Sequence, residues 1–105
     1  MATTIKTEHP HIVRVPGVAG GRPVIAGTRI SVDFIARLLQ AGEEPAGIIA
    51  SYPHLTPAGV YDAISYYFDH QTEIDQQIEA ATLESVAERY GLEVRDDGRI
   101  VPKPR

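Results

Sequence analysis

The chain has 105 residues, of which 43% are hydrophobic and 23% charged, as is typical of one soluble globular domain with a modest core. It contains no cysteine, which excludes disulfides, thiolate metal sites and cysteine nucleophiles. No segment has the apolar length of a signal peptide or a membrane span, so the sequence predicts a cytoplasmic protein without a membrane association.

The net charge of −4 is unevenly distributed along the chain. Residues 1–40 carry five basic and two acidic side chains, whereas residues 41–72 carry four acidic side chains and no lysine or arginine. Residues 73–90 are again acidic, and residues 91–105 carry four basic and three acidic side chains. The basic groups therefore lie towards the two ends of the chain, and the middle is acidic.

The first part of the chain predicts little helix. Residues 1–10 are polar and predict a frayed end. Residues 12–15 and 23–26 are short runs rich in β-branched side chains, and the glycine-rich sequence PGVAGGR separates them. Two such runs around a glycine-rich connection predict a β-hairpin.

Three helices follow, each with a recognisable start or stop. Ser31 is a suitable N-cap for the first helix, and Gly42 ends it. Pro45 suits the first residue of a short second helix, and Thr56 with Pro57 repeats this start for a third. The apolar stripe of the third helix consists of Val60, Ile64, Tyr67 and Phe68. A short helix, a turn of three or four residues and a longer helix have the spacing of a helix-turn-helix.

The helical pattern resumes after His70 and ends at Tyr90 and Gly91, where glycine suits the C′ position. The sequence LEVRDDGRIV then predicts a hairpin with a type I′ turn at Asp97-Gly98. The predicted fold is α+β and mostly α. It has an N-terminal β-hairpin, a homeodomain-like or winged-helix-like three-helix core, a fourth helix and a C-terminal β-hairpin. Residues 1–72 form the helix-turn-helix unit, and residues 73–105 form an extension.

Two segments carry a resemblance to a known family: GRPVIAGTRISV at residues 21–32 and LLQAGEEPAGIIASYPHLTPAGVYDAISYYFDH at residues 38–70. The G-x-P-x-I-x-G-T-R pattern and the Y-P-x-L-T turn resemble the bacterial family known as domain of unknown function 433, over about residues 10–72. That family is also described as VapB-type antitoxins with a helix-turn-helix. The resemblance implies a dimeric antitoxin that neutralises a PIN-like nuclease toxin and binds duplex operator DNA. We expect a non-enzymatic protein without a cofactor.

The residue chemistry supports the predicted DNA binding only in part. The first residues of the second motif helix meet the base edges, yet this helix offers no Arg, Lys, Asn or Gln there. The side chains able to donate to phosphate are Thr56, Tyr61 and Ser65. Phosphate neutralisation must come from the N-terminal cations, which have to converge on one surface. These candidate DNA-binding cations are Arg14, Arg22, Arg29 and Arg37.

Arg29 also has a structural interpretation, in which its guanidinium bonds backbone carbonyls, Asp33 or Asp62. On that interpretation, removing Arg29 lowers the melting temperature. Removing Arg14 or Arg22 then weakens DNA binding and leaves stability almost unchanged. The acidic middle of the chain favours an alternative function, a dimeric protein-interaction module that does not bind DNA.

The C-terminal hairpin and tail offer a second candidate site. An antitoxin has to occupy the acidic site of a nuclease, and arginine is the side chain that pairs carboxylates bidentately. The candidate toxin-binding residues are Arg95, Arg99, Lys103 and Arg105. The alternative is an ordinary solvated hairpin without a partner.

No enzyme site emerges from the remaining residues. No histidine has a second histidine at helical spacing, so no metal site is predicted. No serine has a plausible neighbouring base. Tyr67 is assigned to the core, whereas Tyr61 and Tyr66 are assigned to an interface, where tyrosine is enriched. Spare apolar and tyrosine surface on the third and fourth helices predicts a homodimer.

Overall fold

The computed structural model describes residues 3–97 and 99–102. It begins with a three-stranded antiparallel sheet in the order β1-β2-β3, formed by Ile5–Lys6, Ile12–Arg14 and Val24–Ile25. Ile12 pairs with Ile25 and Val13 with Val24, so the predicted N-terminal hairpin is confirmed. A single 3₁₀ turn at Ala19–Gly21 lies within its glycine-rich connection.

The three helices of the helix-turn-helix follow as α1 (Val32–Gln40), α2 (Pro45–Ser51) and α3 (Pro57–Asp69). Their starts are those that the sequence predicts. Ser31 Oγ accepts from the backbone N–H of Phe34 at 3.2 Å, and Thr56 Oγ1 accepts from Gly59 N–H at 3.0 Å. Both side chains satisfy a donor at a helix N-terminus that has no intrahelical partner.

One core joins the sheet to all four helices. Ile12 of β2 and Ile25 of β3 pack with buried side chains of α1, α2 and α3. The buried members on the helices and their connections are Val32, Ile35, Ala36, Ile48, Leu55, Val60, Ala63, Tyr66, Tyr67 and Ile74. The sheet therefore forms one wall of the trihelical unit and fixes the position of α3.

The chain continues through α4 (Gln71–Arg89) into a second antiparallel sheet of β4 (Leu92–Val94) and β5 (Ile100–Pro102). Gly91 has φ +68°, as expected for a residue that ends a helix. Four helices with small antiparallel sheets at both ends confirm the predicted α+β class. In the described residues, no helix is both long and apolar enough to cross a bilayer.

The tip of the C-terminal hairpin differs from the prediction. Val94 pairs with Ile100, which leaves three residues, 96–98, between Arg95 and Arg99 instead of the two of a type I′ turn. Asp97 Oδ1 accepts from the backbone N–H of Arg99 at 3.0 Å, and this local bond favours the longer loop. Gly98, the other half of the predicted turn, lies outside the described residues.

Two further predictions were wrong. Residues 3–10 are not frayed, because they contain β1 and the buried His9. Tyr66 belongs to the core at 2% exposure, and Phe68, assigned to the apolar stripe, is 63% exposed. Helical geometry explains the exchange, since Tyr66 lies three residues, about one turn, after the buried Ala63, whereas Phe68 lies about 200° around the helix from Tyr66.

Candidate functional site

The outward surface of α3 carries two of the predicted DNA-binding residues. Tyr61 is 56% exposed, and Ser65, one turn later, is exposed. Phe68, another turn along, completes a row of side chains on one face of the helix. We call this row, with the exposed Ala58 before it, the outer stripe of α3. Thr56 lies at the start of the same helix, where its Oγ1 accepts from the backbone N–H of Gly59 and its O–H can still donate.

Arg14 and Arg22 form internal ion pairs. Arg14 donates to Glu73 at 2.8 Å and to the hydroxyl of Tyr66 at 3.3 Å, and the bond to Glu73 raises the pKa of the Arg14 guanidinium. Arg22 donates to the backbone carbonyl of Ala19 at 2.8 Å and to Asp33 at 3.1 Å. Each guanidinium therefore links two elements of the fold. The prediction that removing Arg14 or Arg22 leaves stability almost unchanged did not include this role.

Arg29 and Arg37 are both exposed and have no hydrogen-bond or ion-pair partner among the described residues. The structural interpretation of Arg29 is therefore wrong, since Asp33 pairs with Arg22 and Asp62 pairs with His9. Arg29 lies in the connection after β3, and Arg37 lies in the last turn of α1. Two of the four candidate DNA-binding arginines are thus paired internally, and two have no partner within residues 3–97 and 99–102.

The C-terminal hairpin presents two of the four predicted toxin-binding residues. Arg95 and Arg99 lie opposite each other, joined by a backbone bond from Arg95 N–H to the carbonyl of Arg99 at 2.7 Å. Directly opposed side chains point to the same face of a hairpin, and both are exposed. Lys103 and Arg105 lie outside the described residues.

A buried histidine forms the most connected polar cluster, and the sequence analysis missed it. His9 is 9% exposed, with Nδ1 2.7 Å from Asp62 Oδ1 and Nε2 2.7 Å from Asp69 Oδ2. Its ring meets the edge of Tyr66 at 5.2 Å. On the same tyrosine, the ring of His70 stacks at 4.2 Å. Residues from the N-terminal segment, α3 and the α3–α4 junction therefore meet here.

The electrostatics of this cluster favour a charged histidine. Burial alone lowers the pKa of His9, but the hydrogen bonds and charges of Asp62 and Asp69 outweigh it and raise the pKa above the ordinary value of 6.5. In the protonated form, both ring nitrogens donate to carboxylates. Within residues 3–97 and 99–102, no three histidine or acidic side chains are arranged to hold a metal ion.

One sequence signal was available for this cluster. Asp62 and Asp69 are seven residues apart, a spacing that places both carboxylates on one face of a helix without any lysine or arginine. Such a face needs a cation from elsewhere in the chain. The pairing of His9 with carboxylates more than fifty residues away has no local signature in the sequence.

The comparisons with known proteins agree on the family. The family described as "Protein of unknown function (DUF433)" matches residues 12–67. A crystal structure of a DUF433 member protein from Anabaena variabilis ATCC 29413 is similar, with a TM-score of 0.63 and 35% sequence identity. The match covers 69% of this chain and 70% of that one. No curated protein matches the chain. The chain thus belongs to the DUF433 family of proteins of unknown function.

Proposed function

We propose that this chain is a non-enzymatic, cytoplasmic protein-binding module that acts as the VapB-type antitoxin of a toxin–antitoxin pair. The observation that supports it best is the outer stripe of α3, where Tyr61 and Phe68 are each more than half exposed. Aromatic side chains are enriched at the centres of protein interfaces and supply much of the binding energy there. The identification of the partner as a PIN-like nuclease comes from the family resemblance.

The charge around this stripe also favours a protein partner over DNA. Residues 41–72, which include α2 and α3, contain no lysine or arginine. Binding to duplex DNA depends on several neutralised phosphates, and two of the four N-terminal arginines already neutralise Glu73 and Asp33. An uncharged aromatic row loses little solvation free energy when a protein covers it.

A binding measurement with matched variants tests the stripe. The proposal predicts a PIN-like nuclease encoded beside this chain's gene, and that nuclease is the probe, titrated against the full chain by calorimetry. Replacing both Tyr61 and Phe68 with alanine should weaken binding about a hundredfold or more, since each is placed as an interface hot spot worth about 2 kcal/mol. Ile5→Ala is the control, because this apolar residue is 51% exposed on β1 and belongs to neither the outer stripe nor another proposed contact. Equal affinity of the double variant and the wild type would refute the proposal.

The basic face of the C-terminal hairpin is the proposed second contact with the nuclease. Arg95 and Arg99 lie side by side and have no ion-pair partner among the described residues, so both guanidinium groups are free for carboxylates. Replacing both with alanine should raise the dissociation constant at least tenfold and reduce its salt dependence. Arg89→Ala, an exposed cation at the end of α4, is the matched control. No change in affinity would leave the hairpin outside the interface.

We also propose a homodimer, with Val86 and Tyr90 in its contact. These side chains are one helical turn apart on α4 and are 45% and 70% exposed. Light scattering should give twice the chain mass for the wild type and a lower mass for Tyr90→Ala. A wild-type monomer at micromolar concentration would exclude the dimer.

Operator DNA is the second candidate ligand. Two features favour it: the helix-turn-helix arrangement and the position of Arg29. Arg29 follows the turn that begins at Ile25, and Ile25 lies against Gly59 in the first turn of α3. Fluorescence anisotropy with the upstream duplex should show affinity falling steeply with salt. Arg29→Ala should reduce the slope of log K against log salt by about one. No binding at about 50 mM salt, where phosphate contacts are much stronger than at physiological salt, would eliminate this function.

A further inference from the structure

We propose that residues 7–11 form a strap whose closure over α3 is controlled by the protonation of His9. The strap joins β1 to β2 and is braced internally. The hydroxyl of Thr7 donates to the carbonyl of Ile12 at 2.7 Å and accepts from the backbone N–H of His9 at 3.1 Å. Its conformation is therefore set locally, and its attachment to the helices depends on separate contacts.

These contacts converge on two carboxylates of α3. Asp62 accepts from His9 Nδ1 through one oxygen and from the backbone N–H of His11 at 2.8 Å through the other. Asp69 accepts from His9 Nε2 at the opposite edge of the ring. Three polar bonds thus join the strap to α3, and two of them come from one imidazole. Outside α3, Glu8 of the strap bonds His70, and the carbonyl of His11 accepts from Ala26 N–H at 2.8 Å.

The groups around His9 all influence this attachment. From α3, the ring faces two carboxylates and the buried Tyr66, whose hydroxyl accepts from Arg14 of β2. Beyond Tyr66 lies His70, which bonds Glu8 of the N-terminal segment and lies 3.6 Å from Glu73 of α4. The titratable or charged groups that surround His9 are therefore Glu8, Arg14, Asp62, Tyr66, Asp69, His70 and Glu73.

Deprotonation removes one of the two donors. A neutral imidazole carries a single N–H, so one ring nitrogen would present a lone pair to a carboxylate oxygen 2.7 Å away. That arrangement is repulsive, and the ring has to move away from one aspartate. Because the pKa of His9 is raised when the strap is closed, closure is fully stabilised below about pH 6.5 and loses this stabilisation as the pH rises through the raised value.

Opening of the strap changes what α3 presents. Asp62 and Tyr66 would become accessible beside the outer stripe, which adds a carboxylate and an aromatic ring to a surface that is uncharged in the closed state. The trihelical core does not depend on the strap, since Ile48, Leu55 and Val60 are buried among helices. A rise in pH therefore remodels one face and leaves the rest of the fold intact.

Nuclear magnetic resonance of the full chain tests the proposal. The ring signals of His9 give its pKa, and hydrogen exchange of the His11 amide reports opening of the strap. For each unit by which the measured pKa exceeds 6.5, the protection factor of His11 should fall about tenfold across the titration. The amide of Val60, bonded to the carbonyl of Thr56, should keep a constant protection factor as the internal control.

Matched variants separate His9 from the other histidines. His9→Gln keeps one donor and one acceptor and should abolish the pH dependence of His11 protection, whereas His70→Gln should preserve it. If His9→Gln fails to fold, Asp69→Asn serves instead, because its exposed side chain tolerates replacement and its loss should lower the pKa of His9. A His9 pKa at or below 6.5, or constant protection of His11 while His9 titrates, would overturn the proposal.

Discussion

Gly59 of α3 lies directly against Ile25 of β3: a methyl group placed on Gly59 would be 2.9 Å from Cγ2 of Ile25 and 3.1 Å from Oγ1 of Thr56. Ile25 is only 3% exposed, so its methyl group has no solvent to move into. The absence of a side chain at Gly59 is therefore what allows the second helix of the motif to start on the surface of the sheet.

Gly59→Ala should destabilise the protein. Alanine gains about 1 kcal/mol of helix propensity over glycine, but forcing a methyl group into a packed core costs about 1–3 kcal/mol. We expect a net loss of about 1 kcal/mol in the free energy of unfolding, measured by urea denaturation.

Gly47→Ala in α2 is the matched control. A methyl group at Gly47 would meet only the flexible carboxylate of Glu43, at 3.4 Å, so the propensity gain should remain. We expect stabilisation of up to about 1 kcal/mol. Equal stabilisation by both substitutions would show that α3 and β3 are not in close contact.

Arg22→Ala should cost stability although Arg22 lies on a loop. It would leave the Asp33 carboxylate, whose side chain is 4% exposed, without its cation. Because Arg22 itself is 37% exposed, we expect a loss of about 1–3 kcal/mol instead of the larger cost of a fully buried pair.

Arg37→Ala is the control for the Arg22 experiment, since this exposed side chain has no ion-pair partner among the described residues. Its effect on the free energy of unfolding should stay within about 0.5 kcal/mol. Adding Asp33→Asn to Arg22→Ala should recover part of the lost stability by removing the uncompensated charge. A loss from Arg37→Ala as large as that from Arg22→Ala would contradict the assignment.

The sequence predicts the helix ends correctly but not the ion pairs, and this difference has a physical cause. Caps act within three or four residues, so Ser31, Thr56 and Gly91 specify helix ends that a sequence reveals directly. Arg14 finds Glu73 fifty-nine residues away, a pairing that depends on how the sheet packs against α3 and α4. The sequence does not distinguish the two paired arginines from the two that have no partner in the described part of the chain.

The wrong assignments of Tyr66 to an interface and of Phe68 to the apolar stripe have a similar origin. A helix such as α3, which contacts a sheet and three other helices, buries a wide arc, and periodicity alone does not fix the edges of that arc. The 2% exposed ring of Tyr66 lies under the strap of residues 7–11, which the sequence predicted to be frayed. The wrong prediction for the N-terminal segment therefore led to the wrong assignment of Tyr66 in α3.

Asp62→Asn and Asp69→Asn should differ in cost, because the Asp62 side chain is 14% exposed and that of Asp69 is 60% exposed. At pH 6 we expect Asp62→Asn to cost about 1–3 kcal/mol and Asp69→Asn less than about 1 kcal/mol. Urea denaturation measures both.

The pH dependence of the Asp62→Asn cost gives an internal check. The raised pKa of His9 means that the charged pair contributes below pH 6.5 and is lost as the pH rises through the raised value. The difference between wild type and Asp62→Asn should therefore shrink at high pH. A cost independent of pH would show that Asp62 acts through its bond to the His11 backbone alone.

Tyr67→Phe tests the polar link between α1, α3 and α4. The buried hydroxyl of Tyr67 donates to Asp75 Oδ1 at 2.7 Å and accepts from Gln40 Nε2 at 3.1 Å, and the bond to Asp75 together with burial raises the pKa of the Tyr67 phenol. Removing the hydroxyl should lower the free energy of unfolding by about 1–2 kcal/mol, because two partners on different helices lose a bond.

Tyr61→Phe is the matched control: its ring lies on the outer stripe, so the same deletion should change the free energy of unfolding by less than about 0.5 kcal/mol. Equal effects of the two substitutions would mean that Tyr67 does not join the three helices.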